Sequence, residues 1–385
     1  MNLLHYFPIT RLTEGGTVRA AIDFCSVLAL RGHDVTWLTS DDADTPDAWK
    51  NGEANCPTIR QLGPIAKAGQ QLSSEQVALA KEVAKDADVT HIHAMWIPSN
   101  PQMAKACDSV GTPWVLSTHG MLDDWCMQQR TLKKRFYLST AGRILLRGAT
   151  TFLTTAEEEK RQSSRWLKHN NIAVIPYIVD LEPYKDVPSP QEALDVYGQS
   201  DEPTILFLSR VHEKKSIETL IDATAILQQR GAPVRVLIAG TGEESYVRLL
   251  KKRAESLGVT DNVSFLGMVV GDLKLSLYAM ADVFALPTQQ ENFGIVYPEA
   301  MLCETPVIGT KGTDIWRELE KGGAIIADRT PDAFADAIED LVSDTEVLKA
   351  KGQQGREHIL SWLDNDSVAN RYEEMYGQAA NGHQS

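Results

Sequence analysis

The chain has 385 residues, 43% hydrophobic and 23% charged, a globular composition with too much chain for one ordinary core. The net charge of −14 falls entirely after residue 185, the part before it being balanced; this implies two domains with different jobs and excludes a nucleic-acid backbone as main partner, since no basic domain is present to neutralise it. No run approaches the length of a membrane span, no basic region precedes an apolar core at the start, and five cysteines without close pairing fit a reducing cytoplasm.

Residues 3–7 read as a first strand, followed by Thr13-Glu14-Gly15-Gly16-Thr17 and a helical pattern ending at Gly32. Strand, glycine loop and helix are how backbone amides are brought against a phosphate, although the dinucleotide fingerprint would need a third spaced glycine. Residues 35–39 read as the second strand and 41–71, acidic and then rich in glycine and proline, mostly as loop. A helix over 76–84 leads to strands at 89–92 and 114–116. Histidines close them: His91 and His93 share a face by the period of two, which suits a metal pair, hydrogen bonding or substrate contact, and His119 lies in Ser117-Thr118-His119-Gly120.

Residues 129–147 interleave Arg130, Lys133, Lys134, Arg135, Arg143 and Arg147 with apolar side chains. This basic amphipathic stretch reads either as a solvated face packed on the first domain or as a contact for an anionic acceptor or a membrane surface. Strands at 151–154 and 172–175 complete the first domain, residues 1–185, with a proline- and aspartate-rich linker at 176–190. The alternation then repeats over residues 186–366, with strands at 204–208, 234–239, 263–266, 282–287, 307–309 and 324–326. Each half is expected to be a doubly wound parallel sheet, an α/β fold.

The second domain is organised around residues 288–303. They follow a short apolar run that reads as a buried parallel strand, so Glu291 and Glu299 sit past its carboxyl end, where open parallel sheets bind ligands. A carboxylate suits sugar or ribose hydroxyls because it only accepts hydrogen bonds. Asn292 and Gly294 leave amides open at a helix start. Arg210 and Lys215, at the end of the strand over 204–208, share that edge and suit a diphosphate, as a fork and a point charge.

This set resembles the family-4 glycosyltransferases, a retaining family of GT-B architecture, over nearly the whole chain: Gly15-Gly16, residues 117–120, Arg210 with Lys215, Phe265-Leu266-Gly267, and Glu291-Asn292-Phe293-Gly294 with Glu299. The resemblance implies two Rossmann-like domains facing a cleft, with residues 367–385 forming a final helix packed back on the first. Arg210 and Lys215 would bind the donor diphosphate, Glu299 the ribose and Glu291 the transferred sugar. Amides around Asn292, Phe293 and Gly294 would touch that sugar, Gly267, Met268 and Val269 would wrap the base, Gly15 and Gly16 would close over the phosphates, and His119 would sit at the reaction centre. Ser216 and Asn292 stand where many members have glycine. Residues 117–125 look like a branch used in polysaccharide assembly.

The resemblance thus implies a hexosyltransferase that moves a sugar from a nucleotide-diphosphate donor to a hydroxyl of a glycan, lipid-linked glycan or small acceptor in polysaccharide synthesis, while the cysteines suggest the cytoplasm and residues 129–147 a peripheral membrane contact. No cofactor and no metal are expected, since Asp42-Ala43-Asp44, Asp86-Ala87-Asp88 and Asp364-Asn365-Asp366 lie off the Glu291 edge. Three rivals stand beside it: a nucleotide-sugar epimerase using His93 or Asp123, a dinucleotide oxidoreductase, and a non-catalytic nucleotide-sugar binder.

Overall fold

The computed structural model describes residues 1–12, 16–64, 71–167 and 171–382. It divides into two compact units, Met1–Val179 with Asn365–Ser385, and Asp180–Asp364, where the sequence suggested divisions after 185 and 366. Among the described residues no helix is long and apolar enough to cross a membrane.

The first unit holds β1 (Asn2–Tyr6), β2 (Asp34–Thr39), β3 (Thr58–Gln61), β4 (Val89–His93), β5 (Trp114–Ser117), β6 (Thr151–Thr154) and β7 (Ile172–Val174). They form one sheet in the order β3-β2-β1-β4-β5-β6-β7, parallel throughout. The order reverses between β1 and β4, which opens a crevice at their carboxyl ends. Central strands are buried on both faces, as the uninterrupted burial of β4 and β5 shows. β3 corrects the expected loop: Thr-Ile-Arg-Gln is a polar, mostly exposed edge strand without the apolar run that identifies a buried one. The basic stretch is likewise two helices, Thr131–Ser139 and Arg143–Gly148. They break around Gly142, where a Cβ would stand 2.4 Å from the Tyr137 ring.

The last helix, Asn365–Gly382, belongs to this unit. Tyr372 packs on Phe24 with ring centroids 4.1 Å apart and donates to the Pro176 carbonyl at 3.2 Å, while Val368, Met375 and Tyr376 join the core. Arg31 clamps the exposed side, meeting Asp366 at 2.6 Å and Glu373 at 2.8 Å, and His33 lies 3.0 Å from Glu373. The Arg31 hydrogen bond, against a smaller opposing effect of burial, holds the Glu373 carboxyl down at about 2. A depressed carboxylate stabilises the fold above its unfolded pKa of about 4.3 and loses that contribution as pH falls toward the folded value. Arg31→Ala should therefore destabilise by about 1 kcal/mol at neutral pH, a partly exposed network being worth little more. Melting temperatures of the two proteins should differ constantly from neutral pH to about pH 5 and converge as pH falls from about 4 toward about 2; a gap undiminished at that lower end would detach Glu373 from the effect.

The second unit contains β8 (Thr204–Leu208), β9 (Arg235–Ala239), β10 (Val263–Gly267), β11 (Val283–Ala285), β12 (Val307–Gly309) and β13 (Ile325–Ile326). They run in the order β10-β9-β8-β11-β12-β13, again parallel. The reversal falls between β8 and β11, so the segments leaving those two strands, which carry Arg210, Lys215 and Glu291, flank the ligand edge.

Candidate functional site

β8 leads into a short turn, Glu213–Lys215, held by the His212 ring nitrogen accepting from the Lys214 amide at 3.1 Å. The helix Ile217–Gln229 starts directly after it without a side-chain cap, so its first turn opens at the carboxyl end of β8. Ser216, between the two, has φ +51°. Left-handed backbone is natural for glycine, which gives the glycine-to-serine departure its physical content. Its hydroxyl accepts from Arg329 at 3.2 Å.

Strand β11 leads into residues 286–295, tied to the β8 turn by the Gln289 amide on the Lys214 carbonyl at 2.8 Å. Glu291 is anchored through its backbone, donating to Gly312 at 2.8 Å and accepting from Asp314 at 3.0 Å. Its carboxylate forms an ion pair with the buried Lys215 ammonium. Burial pushes the Glu291 carboxyl up, but the charge and hydrogen bond of Lys215, with Lys214 and Arg210 behind them, outweigh it and leave the group below the ordinary range. Arg210 is exposed at the same edge. Gly294 has φ +61°, and a Cβ there would lie 2.8 Å from both Glu291 Cγ and Tyr297 Cδ2, so the turn admits no side chain at that position. Asn292 donates to the Asp314 carboxylate at 3.1 Å. Phe293 is buried and stacks on Trp362 at 5.6 Å; only its backbone is left to face a ligand.

Glu299 lies on the next helix, Val296–Leu302. One oxygen takes the Lys274 ammonium at 2.7 Å and the other the Tyr278 hydroxyl at 3.0 Å, and the Tyr184 phenol lies close enough to feel the Glu299 charge. Burial, then the Glu299 charge, pushes both phenols above their ordinary values. The motif reading missed these partners, although Lys274 and Tyr278 stand four apart on one helix, Gly271–Met280, and so share a face. Gly267 ends β10 at φ +74°, Met268 is exposed and Val269 buried.

In the first unit Gly15 lies outside the described residues, and Gly16 begins the helix Gly16–Leu30, exposed. His119 follows β5 at φ +50°. Both its ring nitrogens have partners, His93 at 3.2 Å and the Tyr177 hydroxyl at 2.7 Å, and burial lowers its pKa to about 3. Behind it His93 meets His5 at 3.1 Å, while His91 sits between Tyr376 and Ser117, each at 2.6 Å. Ligating nitrogens of His5, His91 and His93 lie within 4.8 Å of one another. The His91 and His93 rings are stacked 4.2 Å apart at 18°, and His5, His93 and His119 form a hydrogen-bonded row. His93, an acid-base candidate of the epimerase reading, is thereby held in the core; Asp123, the other, caps the helix Asp124–Gln128 through the Cys126 amide.

The aspartate triplets are engaged elsewhere: Asp44 accepts from the Leu12 amide at 2.8 Å, Asp88 from the Asn2 amide at 2.8 Å, and Asp366 pairs with Arg31 at 2.6 Å.

Two doubly wound parallel units, the second bearing a cation–carboxylate pair at its switch point, define the GT-B class of α/β protein. The model of "Glycosyl transferases group 1" matches residues 192–358 and that of "Glycosyl transferase 4-like domain" residues 15–177. The chain belongs to the family-4 glycosyltransferases. It is 29% identical over 265 residues, 66% of each protein, to the GDP-mannose-dependent alpha-(1-6)-phosphatidylinositol monomannoside mannosyltransferase of Mycobacterium tuberculosis. It is 32% identical over 179 residues, 44% of this chain and 42% of the relative, to a D-inositol 3-phosphate glycosyltransferase of Corynebacterium urealyticum. The chain thus spans about two thirds or less of these curated relatives. Anabaena HepE, solved with UDP, shares the fold at TM-score 0.80 and 19% identity, covering 98% of this chain and 100% of that one. Sucrose-phosphate synthase from Thermosynechococcus elongatus does so at 0.77 and 20%, covering 98% and 99%.

Proposed function

We propose that the chain is a retaining glycosyltransferase that moves a hexose from a nucleoside-diphosphate donor bound in the second unit to a hydroxyl of a glycan or lipid-linked acceptor, without a metal ion. The Lys215–Glu291 ion pair at the switch point carries this reading. It fixes a cation beside the amides of the helix Ile217–Gln229, with Arg210 exposed on the same edge. As the bond from the anomeric carbon to the diphosphate oxygen breaks, negative charge grows on the leaving group, and preorganised donors stabilise that charge more than the ground state. The acceptor oxygen bonds to the anomeric carbon from the leaving group's face, its proton passing to the departing phosphate, so the configuration is retained. Glu299 is the ribose acceptor and Glu291 and the backbone of 292–294 the sugar contacts; Gly267, Met268 and Val269 flank the base. In the first unit Gly15, Gly16 and His119 serve the phosphates and the sugar.

The mycobacterial relative is named for GDP-mannose and HepE was also solved with UDP-glucose, so both bases belong in the test. Donor and candidate acceptors are incubated in excess chelator and the product's anomeric configuration is read by NMR. Transfer with retention is expected. Inversion, or activity abolished by the chelator, would overturn this mechanism; donor bound but never consumed would leave a binding protein.

We further propose a cytoplasmic protein that docks peripherally on the inner membrane face, where lipid-linked acceptors in polysaccharide synthesis reside. Leu132 and Phe136 are 84% and 70% exposed, and Lys133, Arg135, Arg143 and Arg147 around them are exposed too, a combination suited to anionic headgroups. Binding to vesicles should rise with their anionic-lipid fraction and fall with salt and in Phe136→Asp; indifference to anionic lipid would remove the membrane contact.

A further inference from the structure

One fully buried carboxylate has so far no role. Glu159, on the helix Glu157–Ser163, is 0% exposed. Its Oε1 accepts from the Thr118 hydroxyl at 2.7 Å and the Gly120 amide at 2.6 Å. Its Oε2 accepts from the Thr155 amide at 2.7 Å and hydroxyl at 2.9 Å. One oxygen therefore brackets His119 from both sides, and the other is fixed to the end of β6. His119 itself is a non-glycine residue at φ +50°, a backbone state that persists only where its surroundings over-determine it.

We propose that Glu159 is the positioning residue of the His119 turn, the internal anchor that sets where the imidazole stands. The donor geometry calls for a carboxylate in particular. Each oxygen faces a backbone N–H, which cannot rotate away as a hydroxyl can, so the group must present two acceptors and no donor. Glutamine of the same size points its amide nitrogen at one of those two N–H groups, and the turn or the β6 junction must give. The row from His5 through His93 holds the imidazole from its ring side; Glu159 holds it from the main chain. The catalytic consequence rests on the proposed sugar contact of His119, whereas the positioning itself does not.

The test compares Glu159→Gln, Thr118→Val and Thr155→Val in the full chain. Nitrogen-15 spectra of labelled histidine and the Gly120 amide read the turn directly, and turnover with the donor and acceptor found above reads its effect. Glu159→Gln should shift the His119 ring and Gly120 amide signals and lower kcat by about 10- to 100-fold with donor KM unchanged, the penalty of a small misplacement at a reacting centre. Thr118→Val should shift the same signals less, and Thr155→Val should leave the His119 ring in place. Unmoved His119 and Gly120 signals in a folded Glu159→Gln would overturn the proposal. If that variant does not fold, the two threonine variants decide: equal effects, or none from Thr118→Val, would reduce Glu159 to a core support. A wild-type chain that transfers no sugar would sink the proposed function and leave the spectral result standing.

Discussion

Lys215→Ala should lower turnover by about 100- to 1000-fold, the cost of removing a preorganised group that meets charge developing in the transition state. The same substitution should also destabilise the fold. Lys215 is buried and its partner Glu291 only partly exposed, so deleting the cation strands a desolvated carboxylate, a loss of about 3–5 kcal/mol when one member of a buried pair is removed. Because Glu291 is itself a proposed sugar contact, the two effects separate when the double variant Lys215→Ala with Glu291→Gln is compared with Glu291→Gln alone. Neutralising the stranded group should return most of the stability, read from denaturant midpoints, while turnover stays low. If stability and turnover recover together, Lys215 is a structural ion-pair partner and the leaving group is stabilised elsewhere. Arg210→Ala is the complement: Arg210 is exposed and makes no ion pair with a described residue, so it should lose rate without losing stability.

Glu299→Ala should weaken binding of the nucleoside diphosphate and leave the chemical step, once donor is bound, much less affected. Hydrogen bonds to a charged group contribute about 1.5–3 kcal/mol, which corresponds to about 10- to 100-fold in affinity. The Glu299 carboxylate already holds Lys274 and Tyr278. Ribose hydroxyls would have to share it, and the substitution also leaves the half-buried Lys274 and the buried Tyr278 without their acceptor. Lys274→Met is therefore an informative companion. It frees one carboxylate oxygen, and unchanged donor affinity in that variant would mean that Lys274 only supports Glu299.

The strands were legible wherever a continuous apolar run met burial on both faces, as in Thr204–Leu208 and Thr151–Thr154. Polar β3 was not, because an edge strand buries too little to shape its sequence. The helix Thr345–Trp362 also escaped. Its glycines look like breakers, yet a Cβ at Gly352 would stand 2.1 Å from the Glu304 carbonyl; they are there for close packing. The placing of Arg210, Lys215, Glu291 and Glu299 after the ends of β8 and β11 was legible because the apolar runs of those strands mark where they stop. The pairing of Lys274 with Glu299, and separately that of Glu159 with the His119 turn, could not, since each becomes a contact only in the folded unit. Ser216 is the opposite case: a residue noticed only as a departure from a pattern takes the left-handed backbone that makes the pattern glycine.

The most direct test of the central claim is a metal-free calorimetric titration of guanosine and uridine diphosphates into the wild-type chain, Glu299→Ala and Glu159→Gln. One base should bind the wild type and Glu159→Gln with equal affinity and Glu299→Ala about 10- to 100-fold more weakly. Binding of neither diphosphate, or equal binding to Glu299→Ala, would contradict a donor site at the β8–β11 edge.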